Sequence, residues 1–378
     1  MGRFVLVFIL FVHGLIHLMG VAQEWKLADV KGFTARTLIP LSQSLSKISG
    51  LLWLVAALCF LGAGILILLK QEGWWRMALA AVLLSQALIV IYWPSAKWGT
   101  VANCIVLIAA VIAYGSWNFT KNVDATARSL LAATTGAKSE IVTKEMLQGL
   151  PYPVQLWLSN CGIIGKEKIH SIRLKQKALM RAKPNQRTWV EATAEQYITL
   201  DTPAFIWKVK MNMIPLLPVT GCDRFIDGKG RMNIKLLSLV NMVNQTDAKI
   251  DQGALQRFLG EIMWAPSAAL LPYIKWEALD SLSAKATMTY NHTSGSVIFH
   301  FNTKGDIVYC TANRYMGGGE QATLEKWEGR TTAIGAINGI RMPVQSEVTW
   351  KLKGGDFTWF KFNITDMEYN RPQLYEHS

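Results

Sequence analysis

Apolar residues follow two rhythms along this chain of 378 residues. Up to about residue 120 they form long unbroken runs. Beyond residue 169 they alternate with polar ones. Four of the runs, at 4–22, 49–69, 76–93 and 100–118, reach the roughly 17–25 residues that a helix needs to cross a bilayer. The first begins beside Arg3 and has the length of a secretion signal. No A-x-A-like cleavage site precedes Glu24 and three more runs follow, so it reads as a retained span. Trp53, Trp74, Trp75, Trp93, Trp98 and Trp117 sit mostly near run ends, as interfacial aromatic belts do. "YWPSAKWGT" (92–100) reads as a tight polar turn between spans three and four.

Residues 121–150 form a polar connector, with a short helix expected around "TKEMLQGL" (143–150). In 151–162 a helix opens at Pro151 and stops at Gly162. The period then changes to two. Ile172, Leu174, Gln176, Ala178 and Met180 share one face of 169–181, and Ser171, Arg173, Lys175 and Lys177 share the other, a half-buried strand with a basic outer face. Further strands are expected at 187–200, 204–214, 219–227 and 231–240, with "DGKG" (227–230) as a hairpin turn. Then 251–266 returns to helical spacing, with Leu255, Phe258, Leu259, Ile262 and Met263 on one side, Asp251 as cap and Pro266 as stop. A second short helix is expected at 266–273. Strands resume at 283–291, 296–303, 306–315, 323–333, 340–352 and 356–369, with "HTSG", "TKGD" and "KGGD" as turns. The expected architecture is an N-terminal four-helix transmembrane bundle (1–120), the connector (121–150) and an α+β domain (151–378). Sequential hairpins with one helical insert imply a curved, half-barrel-like antiparallel sheet with helices on one face.

Charge sharpens this division. Residues 1–120 hold 8 Lys/Arg and 3 acids, and the rest of the chain holds 31 and 23. A basic domain beside a bilayer is drawn to anionic headgroups. No nucleic-acid motif or dense basic run points to nucleic acid instead, and a solvated basic surface accounts for the same sums. The spans do not set an orientation. Arg3, Lys70, Arg76, Lys121 and Arg128 fall on one side, and Lys26, Lys31, Arg36, Lys47 and Lys97 on the other. The positive-inside rule therefore has nothing to act on. Cys59, Cys104, Cys161, Cys222 and Cys310 show no metal or disulfide spacing. Asn291-His292-Thr293 matches a glycosylation sequon.

"FVHGLIHLMG" (11–20) places His13 and His17 on one helix face. Polar side chains in hydrocarbon turn inward and find partners. At 1.5 Å per residue from the span ends, His17 lies ~7 Å deep, Gln86 ~10 Å and Asn103 ~5 Å, so these three share a layer. His13 lies deeper, near Cys59. Three roles compete: an interhelical hydrogen-bond cluster, a metal site with Cys59 and Cys104, and a proton or ligand site. Haem is disfavoured, because two ligands on one helix face cannot bracket an iron.

In the α+β region no GxSxG, HExxH, P-loop or dinucleotide fingerprint occurs. "GGGE" (317–320) reads as a flexible loop. No base accompanies Ser267, and His170 and His300 have no acidic pattern beside them. Asp223, Arg224 and Asp227 in "GCDRFIDGKG" suit a headgroup, a metal, or merely a turn with a salt bridge. Glu261 follows Arg257 by four residues, which suits either a surface pair or a buried carboxylate with a raised pKa. Trp207, Phe258, Trp264 and Trp276 are candidate walls of an apolar pocket, or ordinary core.

"HGLIHLMG", "AKWGTVAN" (96–103), "CDRFIDGKGRM" (222–232) and "RFLGEIMWAPSAALL" (257–271) resemble an uncharacterised bacterial family that joins a few membrane spans to a β-rich domain. The resemblance covers most of the chain and implies a multi-pass protein of the bacterial inner membrane, but no activity. The ending "GIRMPVQSEVTWKLKGGDFTWFKFNITDMEYN" (339–370) is also similar to the closing strands of lipoprotein carriers, over about a tenth of the chain. That similarity implies a half-barrel that binds acyl chains.

Three functions follow. The first is a membrane-tethered binding module for a lipid, acyl chain or other apolar ligand, with the bilayer as partner, no cofactor and no catalytic residue. The second is an enzyme on a membrane-derived substrate, using Glu261 and Asp223 as acid and base. The third is a structural or assembly role for the basic strand face.

Overall fold

The structure is a computed structural model that describes residues 2–28, 30, 36–214 and 217–376. Lys31, one of the charges weighed for orientation, lies outside them. The chain divides into two compact units, Met1–Thr120 and Lys121–Ser378.

The first unit contains α1 (Gly2–Glu24), α2 (Gln43–Leu68), α3 (Trp74–Ile91), the single turn α4 (Trp93–Ala96) and the start of α5 (Gly99–Ala132). Helices α1, α2, α3 and α5 are each long and apolar enough to cross a membrane. The tight turn expected at 92–100 contains α4. Close packing of α1 on α2 depends on small residues. A Cβ at Gly20 would lie 2.6 Å from the Trp53 ring. Helix α5 runs well past the expected span end. Val123, Ala127 and Leu131 recur at four-residue spacing and are buried, so its polar last turns have an apolar stripe to pack. Those turns replace part of the expected connector.

The second unit opens with a 3₁₀ turn at Glu145–Leu147 and α6 (Tyr152–Asn160). Thirteen strands follow in one antiparallel sheet: β1 (Ser171–Met180), β2 (Val190–Thr199), β3 (Ala204–Ile214), β4 (Leu217–Ile226), β5 (Lys229–Leu236), β6 (Val240–Gln245), β7 (Ile274–Asp280), β8 (Ser283–Tyr290), β9 (Thr293–Phe301), β10 (Ile307–Met316), β11 (Thr323–Ile337), β12 (Ile340–Leu352) and β13 (Gly355–Tyr369). The spatial order is β6-β5-β4-β3-β2-β1-β13-β12-β11-β10-β9-β8-β7. Two meanders therefore run outward from a central β1–β13 pair, in which Ile172 faces Tyr369 and Met180 faces Phe360. Between them come α7 (Ala248–Glu261) and 3₁₀ turns at Ile262–Trp264 and Pro266–Leu270.

Strands β6 and β7 were not expected. They are the two sheet edges, and most of their residues are not buried. An edge strand with no covered face carries no alternation to read.

Bulges at Lys175/Gln176, Thr331/Ala333 and Val348/Thr349 bend the sheet. It curls until the β4–β5 turn meets the β8–β9 turn. Asp227 and Gly228 form the first turn and Asn291 and His292 the second, all at positive φ. Thr293 Oγ1 donates to the Gly228 carbonyl (2.9 Å), and a Cβ at Gly228 would lie 2.8 Å from Asn291 Cβ. The sequon asparagine thus belongs to an internal contact, one residue before the turn expected at 292–295.

Both helices cover one sheet face. On β9, Gly295, Val297, Phe299 and Phe301 share a face by the two-residue period. A Cβ at Gly295 would strike Gln256 of α7, while Phe299 and Phe301 pack on Trp157 of α6. Helix α7 starts four residues earlier than expected. Its cap is Asp247, which accepts from Lys249 and Ile250 N–H (2.8 and 2.9 Å). Asp251 instead ties the helix to β5, accepting from Gly230 N (2.7 Å) and Lys229 Nζ (2.9 Å). The approach is so close that a Cβ at Gly230 would lie 2.5 Å from the Ile250 carbonyl.

Strand β1 departs from its expected basic outer face. Arg173 is buried, paired with Glu368 and covered by the Tyr375 ring (4.4 Å). The returning C-terminal segment, distant in sequence, covers that position.

Candidate functional site

Beneath α7 lies a cavity of about 170 Å³. Beyond its first turn, which adds Lys249 and Ile250, α7 borders it with Gly253, Ala254, Arg257, Gly260 and Glu261. These positions share one side of the helix. Three of the five are small, so the helix leaves space there, while Leu255, Phe258, Leu259 and Ile262 fill the core around it. The sheet contributes Gln176, Trp207, Asp223, Arg224 and Arg314, and also Trp327, Val348, Trp350, Trp359, Phe360 and Phe362.

Arg257 organises the polar wall. Its Nε donates to Glu261 Oε1 (2.8 Å), Nη1 to Asp223 Oδ2 (3.1 Å) and Nη2 to Gln196 Oε1 (3.3 Å). Gln196 Nε2 in turn donates to Glu261 Oε2 (2.5 Å). The guanidinium also lies 4.8 Å from the ring centres of Phe205 and Trp207. The Trp207 indole donates to Gln176 Oε1 (3.0 Å). The Arg257–Glu261 pair is therefore a partly buried wall element, not a surface pair. Burial pushes the Asp223 carboxyl above its ordinary range, against the pull of Arg257. Burial lowers Arg314 to about 10, with Arg257 adding repulsion. Cys310 also borders the cavity, but burial pushes its thiol up to about 12, which leaves it protonated and unreactive.

Of the residues singled out in the sequence, Trp207, Asp223, Arg224, Glu261 and Trp264 border this cavity. Phe258 and Trp276 are placed elsewhere. Phe258 packs on Phe225 and Tyr273, because one step from Arg257 turns it about 100° around the helix. Trp276 packs on Phe299 and donates to the Ala269 carbonyl. Asp227 serves the hairpin turn. Arg314, Trp327, Trp350 and Trp359 escaped the sequence reading. Trp327 and Trp350 meet only because β11 and β12 pair in that register, which no local pattern encodes.

Other expectations resolve locally. Ser267 Oγ accepts from Ile169 N (3.0 Å), and His300 stacks on Tyr309 (4.1 Å). His170 has an acidic partner after all, Asp201 at 2.7 Å, supplied across the β2–β3 turn. The 317–320 loop is docked, since Gly319 N donates to the capping Asp247 (2.7 Å).

In the first unit, Asn103 is linked directly to His13 and Gln86, and His17 joins them through Ser85, a residue the sequence reading did not select. His13 Nε2 donates to Asn103 Oδ1 (3.0 Å). Asn103 Nδ2 donates to Ser85 Oγ and Gln86 Oε1 (both 3.0 Å). His17 Nδ1 donates to the His13 carbonyl (2.7 Å), which leaves Nε2 to accept from Ser85 Oγ (2.8 Å). Asn103 thus meets His13, where the depth comparison paired it with His17. Binding its own helix carbonyl fixes the His17 ring toward α3. Cys104 is exposed. Among the described residues no group of three or more His, Cys, Asp or Glu side chains is placed to hold a metal ion.

The model of a family described as a family of unknown function (DUF6544) matches residues 140–362. No curated protein matches the chain. Among solved structures, the chain is similar to the crystal structure of a LolA superfamily protein from Nitrosomonas europaea. The two are 11% identical, with a TM-score of 0.31, over 57% of this chain and 93% of that one.

Proposed function

We propose, starting from the fact that the chain belongs to the DUF6544 family, that it is a membrane-anchored binding module for one apolar chain segment. The observation that carries this reading is the cavity under α7, whose surface is mostly apolar and walled by Trp207, Trp264, Trp350 and Phe360, with seven charged side chains also on its border. Apolar walls with few convergent polar groups are the usual make-up of a small-molecule site. Its 170 Å³ compares with the roughly 150 Å³ apolar cavity that takes up benzene. It therefore suits about six to eight carbon atoms, a segment of one acyl chain rather than several chains at once. The four apolar helices would hold the module at a bacterial inner membrane, within reach of such chains.

Native mass spectrometry of the full chain released from detergent tests this. The expected result is a retained apolar molecule, lost in Gly260→Leu, whose added side chain would project into the cavity. A ligand-free mass for both proteins overturns the reading.

One observation favours a second reading, an enzyme on a membrane-derived substrate. Asp223, with its raised carboxyl, and Glu261 border the same cavity. Against it, both oxygens of Glu261 are already engaged. Chemical change of a retained ligand that stops in Asp223→Asn would favour the enzyme.

A further inference from the structure

The polar wall of the cavity is unevenly satisfied. Arg257 takes both nearby carboxylates, Asp223 and Glu261. Arg314, on β10, is another of the four guanidiniums at the cavity, with Arg224 and Arg231, and has no carboxylate within ion-pair distance among the described residues. Its Nη2 donates to the Gly253 carbonyl (2.7 Å), its plane lies over Trp327 (5.0 Å), and its Nε is buried without a partner. Two more buried donors at this cavity lack acceptors, the indole N–H groups of Trp327 and Trp359. Buried donors are nearly always paired, so three orphans around one cavity call for an explanation. All three can only donate. What they lack is an acceptor, and beside a guanidinium the best acceptor is an anionic oxygen.

We infer that the ligand of this cavity is an amphiphile with an anionic head, a carboxylate or a phosphate monoester, and that Arg314 is its anchor. This rests on the apolar-binding reading above and specifies the other end of the molecule. The head sits against Arg314 and the two indoles. The tail occupies the apolar part of the cavity. Arg257, already neutralised by its two carboxylates, holds α7 in place. Among the remaining cations at the cavity, Arg224, Arg231, Lys249 and Arg314, only Arg314 has a buried nitrogen without a partner, so it is the charge that selects the head.

The test uses the full chain in nanodiscs, with empty nanodiscs as blank. Octanoate, octyl phosphate and 1-octanol are each titrated in, and binding is followed by tryptophan fluorescence. These probes share a tail length that the cavity suits and differ at the head. The expected result is that at least one anion binds about tenfold or more tightly than octanol, as a charge-assisted hydrogen bond implies. The tighter anion identifies the source, octanoate a free carboxylate and octyl phosphate a phosphate head. Arg314→Gln is expected to abolish that preference, bringing the anion down to octanol's affinity, and Arg314→Lys to retain part of it. If octanol binds the native chain as tightly as both anions, the anionic head is wrong and the apolar-binding reading stands. If none of the three binds, both fall. If Arg314→Gln weakens all three equally, Arg314 is structural and its role as anchor is overturned. The comparison within the native chain needs no variant, so a poorly folding substitution does not protect the proposal.

Discussion

The two units take polar side chains out of water in opposite ways. In the helical unit the cluster is neutral. His13, His17, Ser85, Gln86 and Asn103 are linked by short hydrogen bonds. In the β unit the cluster is ionic, and it borders empty space. Each nitrogen of Arg257 is engaged, by Glu261, Asp223 and Gln196, while Arg314, Trp327 and Trp359 have buried donor nitrogens without a partner. A cluster that satisfies itself holds helices together and has little left for a ligand. A cluster with leftover donors on a cavity wall has capacity to bind. Having titratable or metal-type residues is therefore a poorer guide to a site than having unpaired ones.

Four substitutions would break or sharpen this contrast. The largest effect is expected for Arg257→Met, which strands two partly buried carboxylates. Such losses run to about 3–5 kcal/mol, read as a lower thermal midpoint of the second unit. The deficit should shrink on acidification. A buried carboxylate without its cation has a folded-state pKa above its unfolded value. The folded state then binds the proton more readily, and its stability rises as pH falls through that pKa. A deficit that grows on acidification would refute the ionic account. Asn103→Ala removes the hub of the neutral cluster. At roughly 0.6–2 kcal/mol per bond in a membrane bundle, its thermal shift should be smaller than that of Arg257→Met. An equal or larger shift would reverse the comparison.

Asp247→Ala removes the α7 cap and should cost about 1 kcal/mol. Burial opposes charge on Asp247, but the N–H groups of Ile250, Gly319 and Lys249 together bring its pKa below the ordinary range. Its contribution is thus complete above the ordinary carboxylate pKa and lost as pH falls through the folded value. Mutant and native midpoints should converge at acid pH. The smallest effect is a gain. Gly260 lies in the last turn of α7, where an added Cβ has 3.8 Å of clearance. Gly260→Ala should raise stability by about 0.5–1 kcal/mol from helix propensity. A loss would mean that the cavity beside it is tighter than its walls suggest.

Much of the architecture is legible locally. The four apolar runs, the alternation in β1 and β9, and the Asp227–Gly228 turn each carry their own signal, because burial of one face imposes a period on the residues themselves. The sequence reading failed where that condition lapses. The edge strands β6 and β7 show no such period, and the polar end of α5 is disclosed only by Val123, Ala127 and Leu131. The site was half legible. Asp223, Arg224 and Glu261 drew notice as charges in apolar surroundings, and Trp207 and Trp264 as large aromatics. Phe258 and Trp276 had the same credentials and pack elsewhere.

The sequence by itself determined most of the helices and strands and most of the faces they bury, since these depend on neighbours a few residues away. Tertiary structure decided that Arg257 rather than Arg314 receives the carboxylates, and that Trp327, Trp350 and Trp359 from three strands surround one space. It also placed His17 on Ser85 and His13 on Asn103. Those outcomes depend on strand register, sheet curl and helix rotation, in which a shift of one residue or a few ångströms exchanges partners while the local pattern stays the same.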